Sequence, residues 1–347
     1  MTISPFITLG KRKIGPNYKP LIIPEMGINH NGNIERAFKI VDAAKLAGAE
    51  IIKHQTHIPD DEMSIEAKKI KPGNSDNNIY SIISKRSLSE EHEYNLLKYV
   101  KKNNMIFLST PFGKKAVERL VKFKVDAFKI GSGEISNFPL IDFIISLKKT
   151  LIISTGMVDI NYVKELFRKL NSKSCSFALL HTTSLYPTPN HLARLNIIDE
   201  FKTNFPNQVI GYSDHTIGNN ACYVALSKGA CIIEKHFIDN YRAKGPDIIC
   251  SCDGKSLSKL IQKSEEIYEL SKGNKALLKE ENVTKNFAFA SICSIKDIKK
   301  GEQLSSKNIW AKRPGIGYFK ANDLKNLYGK KAKQDIPKNT LLKKIHI

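Results

Sequence analysis

Short apolar runs rich in Ile, Leu, Val and Phe recur along the chain, and most end in a polar residue able to bind or react. In order they are LIIPE to Glu25, EIIKHQT with Lys53 and Gln55, and IFLST to Thr110. Next come AFKIGSGE with Lys129, Ser132 and Glu134, and LIIST ending at Ser154 and Thr155. FALLHTTSLY with Ser184 and Tyr186, VIGYSDH with Ser213 and His215, and CIIEKH with His236 complete the series. Stretches with helical spacing separate them. Strands alternating with helices predict a parallel sheet. Eight such units predict a closed (β/α)8 barrel, in which chemistry gathers at the C-terminal ends of the strands. The polar residues fall at those ends.

The pattern changes near residue 275. The last barrel helix reads SLSKLIQKSEEIYELSKG with Gly273 as its stop. The expected organisation is a barrel over 1–275, a charged linker over 276–284 and a small domain over 285–347. In that last part FAFASICS, NIWAKRPGIG and KNTLLKKI read as strands around the turns KKGE and RPGIG. So short a segment buries little core by itself, and it is expected to pack on something else. The stretch from Ile58 to Leu88, with the turn PGNSDNN, is long for a connection between barrel elements and reads as a lid over the site.

Composition narrows the classes. A chain of 347 residues exceeds the roughly 250 of a bare barrel, consistent with a second small domain. No apolar run approaches the ~18 residues of a membrane helix, and the N-terminal MTISPFITLGKRK lacks the layout of a signal peptide. A cytoplasmic protein is expected. The six cysteines include no CxxC pair and read as reduced thiols. Net charge is +21, mostly lysines spread along helical stretches such as KKAVERLVKFK. With no nucleic-acid motif beside them they read as a solvated surface, with weak steering of anions as a second reading. A basic nucleic-acid-binding protein is the non-enzymatic alternative, and it leaves the polar strand ends unexplained.

The strand ends suggest the chemistry. His215 and His236 end neighbouring strands, about 4.8 Å apart in a parallel sheet, and two imidazoles there suit one divalent metal with open positions. Capping hydrogen bonds are the plain alternative. Lys53 and Lys129 interrupt apolar strands, and a buried ammonium needs a partner. They suit an anion with Thr110, Ser132, Ser154 and Ser213 as hydroxyl donors, or a Schiff base, or an internal pair with Glu25 or Glu134. Glu134 follows Gly131-Ser132-Gly133 and suits a general base. Asp247 suits a sugar hydroxyl.

These motifs carry a resemblance. PEMGINHNG at 24–32, IIKHQTH at 51–57, DEMS at 61–64, PGN at 72–74, LSTPF at 108–112 and FKIGSGE at 128–134 resemble the bacterial sialic acid synthase family. So do STGM at 154–157, YPTP at 186–189, GYSDHT at 211–216, EKHF at 234–237 and GPDIICS at 245–251. FAFAS at 287–291 and KRPGIG at 312–317 resemble that family's antifreeze-like C-terminal domain, of β-clip type. The resemblance implies a (β/α)8 TIM barrel that condenses phosphoenolpyruvate with N-acetylmannosamine.

It implies a divalent metal on His215 and His236, manganese first, with magnesium or cobalt as alternatives. Phosphoenolpyruvate would lie on Lys53, Thr110, Lys129, Ser132, Ser154, Ser184 and Ser213. The family often has Asn where this chain has Ser184. The sugar would meet Gln55, Asn74, Glu134, Tyr186 and Asp247. Glu134, Lys53, Lys129 and Glu25 form the catalytic set. A homodimer with swapped C-terminal domains would bring Phe287 and Arg313 to the partner's site. Legionaminic or pseudaminic acid synthesis is the near alternative. A two-His metallohydrolase barrel is the distant one, and it would need more carboxylate ligands.

Overall fold

The computed structural model describes residues 4–73, 76–241 and 245–347. Contacts divide the chain into two units, Met1–Lys272 and Gly273–Ile347.

A hairpin opens the first unit, β1 (Ile7–Leu9) paired antiparallel with β2 (Arg12–Ile14). The barrel strands are β3 (Leu21–Gly27), β4 (Ile51–Thr56), β5 (Ile106–Pro111) and β6 (Ala127–Ile130), then β7 (Thr150–Ser154), β8 (Phe177–Thr182), β9 (Val209–Asp214) and β10 (Ile232–His236). They form one parallel sheet in the order β5-β4-β3-β10-β9-β8-β7-β6. β5 lies against β6, so the sheet curls into the expected eight-stranded barrel. The surrounding helices are α1 (Ile34–Leu46), α2 (Pro59–Glu62), α3 (Ile79–Ser84), α4 (Glu90–Lys102) and α5 (Lys114–Lys122). α6 (Phe138–Ser146), α7 (Ile160–Ser172), α8 (Ile197–Asn204), α9 (Asn220–Ser227) and α10 (Gly254–Leu270) follow. Side chains cap several of them: Asn33 accepts from the Arg36 amide, and Asp159 from the amides of Asn161 and Tyr162.

Strand parity sorts the side chains into two cores. One position parity faces the barrel interior: Leu21, Ile23, Ile51, Leu108, Ala127, Ile152, Ala178, Leu180, Val209 and Ile232 are buried together there. Ile7, Leu9 and Ile14 of the hairpin join this cluster, so the lead-in segment closes the lower end of the barrel. The other parity, including Ile22, Ile52, Phe128, Ile153 and Ile233, packs against the helices. Followed upward, the interior parity turns polar: Ile23 to Glu25, Ile51 to Lys53, Leu108 to Thr110, Ala127 to Lys129, Ile152 to Ser154 and Ile232 to Glu234 and His236. An apolar floor therefore carries a polar mouth.

The segment after β4 is not a bare loop. It holds α2, a 3-10 turn over Ile65–Lys69 and α3, and Ile82 and Ile83 bury against Ile28. Asp61 also accepts the backbone amide of Lys115 at the start of α5, at 2.8 Å. Asn74, expected near the sugar, lies outside the described residues.

The second unit has its own small core of Ile292, Ile298, Leu304, Ile309, Leu327, Ala332, Ile336 and Leu342. Its strands are fewer than the sequence pattern suggested. Only β11 (Ser291–Ser294) and β12 (Ile309–Lys312) pair as a ladder. FAFAS begins in a helix, α11 (Asn282–Ala288), and α12 (Leu324–Leu327) is a single turn. KNTLLKKI makes one isolated bridge, Cys293 to Leu341, and then coils into a 3-10 turn. Residues 339–342 still exchange backbone hydrogen bonds with Ile292 and Ser294 of β11.

Gly211 sits on the interior parity of β9. A Cβ there would lie 2.4 Å from a Leu180 methyl and 2.7 Å from the Ile232 carbonyl oxygen. The backbone contact cannot yield without moving β10. Gly211→Ala is expected to destabilise the barrel by about 1–3 kcal/mol in urea unfolding. Parental stability in that variant would mean the strands tolerate a wider spacing.

Candidate active site

The polar mouth encloses a cavity of about 250 Å³. Its wall includes Glu25, Lys53, Gln55, Thr110, Lys129 and Ser132 on one side, and Ser154, Ser184, Tyr186, Ser213, His215, Glu234 and His236 on the other. Twelve of the seventeen residues expected at the site line this wall; Glu234, the thirteenth named, was not among them. Four charged groups form the base. Lys53 Nζ lies 2.9 Å from Glu25 Oε2, donates to Thr110 Oγ1 at 3.0 Å and stands 4.0 Å from Glu234 Oε1. Lys129 Nζ donates to Ser154 Oγ at 2.6 Å and to the Ile130 carbonyl at 3.0 Å, with Glu234 Oε2 at 3.6 Å. The lysines are thus paired internally and face the cavity at once. Glu134 is not their partner.

Their surroundings set their charge. Burial pulls Lys129 down to about 8, opposed by Glu234 and reinforced by Lys53. Burial acts on Lys53 too, but Glu234 and Glu25 outweigh it and raise its proton affinity. Burial would raise Glu234, and the two lysines overcome it, holding the carboxyl well below its usual range.

The two histidines stand side by side, ring centroids 5.5 Å apart. His215 Nδ1 donates to the Thr183 carbonyl at 2.9 Å, which leaves Nε2 as the ring's acceptor nitrogen. Burial, then the neighbouring His236, pushes His215 down to about 4, so it is neutral at ordinary pH. His236 Nδ1 is buried without a hydrogen bond and lies 3.9 Å from Asp247 Oδ2. Tyr186 covers the pair, its ring 4.1 Å from that of His215. Two adjacent imidazoles with unused nitrogen capacity fit a divalent cation. Among the described residues no cluster of three or more His, Cys, Asp or Glu is arranged to hold one, so the remaining ligands would be water or substrate.

This barrel and mouth match a known pattern. The NeuB family model covers residues 40–276, and the SAF domain model covers residues 290–347. The chain belongs to the NeuB family. It is 34% identical to the N,N'-diacetyllegionaminic acid synthase of Campylobacter jejuni, over 94% of this chain and 99% of that one. It is 33% identical to the pseudaminic acid synthase of the same species, over 94% and 96% of the two chains. Among solved structures it resembles the N-acetylneuraminic acid (sialic acid) synthetase of Leptospira borgpetersenii in complex with citrate, with a TM-score of 0.75 and 30% identity over 81% of this chain and 95% of that one.

Other expected residues of this NeuB chain lie at the rim or elsewhere. Glu134 sits in the 3-10 turn after β6, and its carboxylate accepts from Asn137 at 2.7 Å. Burial raises its pKa, partly offset by that hydrogen bond, with Glu62 adding to the rise. Asp247 is half-buried beside His236. Gln55 donates to Glu25 at 2.8 Å, while its carbonyl faces His57 Nε2 at 3.1 Å. Phe287 and Arg313 belong to the second unit and are exposed there.

Several residues of the NeuB site escaped the sequence reading. Glu234 is the main one. It shares the inward parity of His236 two positions on, and that parity was the available signal. His57 is another: it lies 3.0 Å from Glu62 and stacks at 4.3 Å on Phe112, which lines the cavity. Gly156 is the third. A Cβ there would lie 2.3 Å from Ser184 Oγ and 2.8 Å from Ser132 Oγ, so glycine lets two hydroxyls converge. Ser184 Oγ is buried with no hydrogen-bond partner.

The Lys129 value yields a pH test. Below about pH 8 its ammonium is charged; above, it is neutral. If this charge holds an anion, the phosphoenolpyruvate Kd should be steady below that point and rise toward about tenfold per pH unit above it. Calorimetric titration from pH 7 to 9.5 measures this, and Lys129→Met should bind weakly with the step removed. A flat parental profile would place the charge outside the binding event.

Proposed function

We propose that this chain condenses phosphoenolpyruvate with the open-chain form of N-acetylmannosamine, releasing N-acetylneuraminic acid and inorganic phosphate. The observation that carries the reading is one small cavity facing two buried lysines on one side and two adjacent histidines on the other. A cavity of about 250 Å³ is below the ~300–1,000 Å³ usual for ligand sites. It suits the small anion at depth, with the sugar at the rim beside Tyr186, Glu134 and Asp247.

Lys53 and Lys129 hold the phosphate and carboxylate as fixed charges, with Thr110, Ser132, Ser154, Ser184 and Ser213 supplying hydroxyls. A divalent cation on His215 and His236, manganese first, with magnesium or cobalt as alternatives, supplies Lewis acidity toward the aldehyde oxygen. C3 of phosphoenolpyruvate bonds to the aldehyde carbon, and positive charge develops at C2 between Glu25 and Glu234. Water adds at C2 and gives a proton to Glu134, whose proton affinity burial raises. Glu134 passes that proton to the former aldehyde oxygen, and phosphate then leaves with its bridging oxygen and the C2 hydroxyl proton, so that C2 becomes the ketone of the product. Gln55, held by Glu25, orients a sugar hydroxyl, and Asn74 is assigned to the same substrate.

A second reading rests on the 34% and 33% identical relatives. Their names favour a sugar that leads to legionaminic or pseudaminic acid. Incubation with Mn²⁺, phosphoenolpyruvate and each candidate sugar, followed by mass spectrometry, separates the two. The expected result is a nine-carbon keto acid from N-acetylmannosamine, activity lost on chelation, and bridging ¹⁸O recovered in phosphate. Product from a diacetamido sugar alone supports the second reading. No product with any sugar, or label retained in the keto acid, rejects the reaction.

The proposal extends to the second unit. Arg313 and Phe287 serve the partner subunit's site in a swapped dimer, Arg313 at the N-acetyl group. Their exposure supports this, as does the small core of eight buried apolar residues in that unit. Arg313→Ala and Glu134→Ala should each be inactive, while a co-expressed, doubly tagged heterodimer should regain part of the activity through one intact mixed site. An inactive heterodimer beside active parental dimers would mean each site is built from a single chain.

A further inference from the structure

Behind the two histidines, on the outer face of the same strands, lies a second charged pair that the reaction does not touch. Asp214 precedes His215 and Lys235 precedes His236. Strand alternation turns both away from the cavity. They are register partners on β9 and β10, and the Lys235 Nζ to Asp214 Oδ2 distance is 2.6 Å. Their side chains are 1% and 0% exposed.

The pair does more than neutralise itself. Asp214 Oδ1 accepts the Thr216 amide at 2.9 Å and the Tyr212 hydroxyl at 3.0 Å. Asp214 Oδ2 accepts the Thr216 hydroxyl and the Cys222 thiol, each at 3.2 Å, besides Lys235. Lys235 donates a second time, to the Thr216 carbonyl at 2.8 Å. Both backbone polar groups of the residue after His215 are therefore tied to an ion pair whose other half adjoins His236. The β9–β10 register runs Ile233–Tyr212, Glu234–Ser213 and Lys235–Asp214, and stops there. His236 itself is in register with Glu25 on the other neighbouring strand, β3. His215 is anchored to the segment after β8, through Thr183 and through the Thr188 amide, which donates to its carbonyl at 2.9 Å. Past the end of the ladder, the Asp214–Lys235 pair is what joins the turn of one histidine to the strand of the other.

We propose that Asp214 and Lys235 are positioning residues that fix the separation of His215 and His236 for a divalent cation. The inference rests on reading those histidines as a metal pair. A buried ion pair adds little stability that apolar residues of similar volume would not. A metal, by contrast, tolerates ligand displacement of only about 0.2 Å. Rigid registration is therefore of greater use here than burial.

The test uses Asp214→Asn/Lys235→Met, which removes both charges at similar volume, and Tyr212→Phe, which removes one support of Asp214. Mn²⁺ affinity is read from the electron paramagnetic resonance of the free ion, with melting temperature and metal-free phosphoenolpyruvate Kd measured alongside. The double variant should bind Mn²⁺ at least about tenfold more weakly, as orienting partners of metal ligands do. Its phosphoenolpyruvate Kd should stay within about twofold, because the pair faces away from the cavity. Tyr212→Phe should show a smaller loss in the same direction. A folded double variant with parental Mn²⁺ affinity overturns the inference, even if it melts earlier. If the double variant does not fold, parental Mn²⁺ affinity in Tyr212→Phe overturns it. A parent that binds no Mn²⁺ overturns the metal reading itself, a result distinct from a parent and variants that bind equally.

Discussion

Everything at this site follows from the need to keep four charged side chains inside a barrel. Lys53, Lys129, Glu25 and Glu234 are all buried at the mouth. Each alone would carry a desolvation penalty of several kcal/mol. Together they sum to zero charge, and each has at least one oppositely charged neighbour within 4.0 Å. The arrangement is stable without being satisfied. Lys129 stands 3.6 Å from its carboxylate, beyond a strong hydrogen bond, and burial lowers its pKa despite the pull of Glu234. In the proposed reaction the anion adds contacts to the two lysines that the carboxylates do not make. That is electrostatic preorganisation in a water-poor pocket.

The neutral balance of the mouth separates it from the rest of the surface. The chain carries a net +21, yet the cavity's four charged groups cancel. Surface lysines therefore act at long range on an approaching anion, where salt screens them over about 10 Å. In the proposed reaction, selection of the anion falls to two lysines at short range. A second neutral element adjoins them. Burial keeps His215 uncharged, and its hydrogen bond to the Thr183 carbonyl turns the other nitrogen free. Two lysines and two imidazoles thus stand on opposite sides of one small cavity, the division of labour that the proposed joining of an anion to an aldehyde calls for.

Glycines and short apolar steps make this geometry possible. Gly211 lets β9 lie close to Leu180 and to the β10 backbone, and Gly156 lets Ser132 and Ser184 approach. The hairpin at the lower end seals the floor with Ile7, Leu9 and Ile14. The long segment after β4 reaches the rim with its own helices and a buried contact to Ile28, so its acidic turn at Asp60–Glu62 is held against the barrel rather than left loose.

The sequence by itself determined the barrel, because period-two apolar runs alternating with helical stretches leave few other ways to bury both faces. It also determined which positions face inward at each strand top, since parity cannot slip without turning the apolar floor outward. Lys53, Thr110, Lys129, Ser154, Ser213, His215 and His236 were legible for that reason. Only the tertiary structure decided who partners whom. Glu234, rather than Glu134, stands between the two lysines, because ring closure brings β10 within reach of both β4 and β6, far apart in the chain. The Asp214–Lys235 pair was equally hidden: each residue reads as an ordinary neighbour of a histidine until the register sets them side by side. In the second unit local alternation was a poor guide, since KNTLLKKI meets β11 through one bridge and then coils into a 3-10 turn, and pairing of that kind depends on residues distant in the chain.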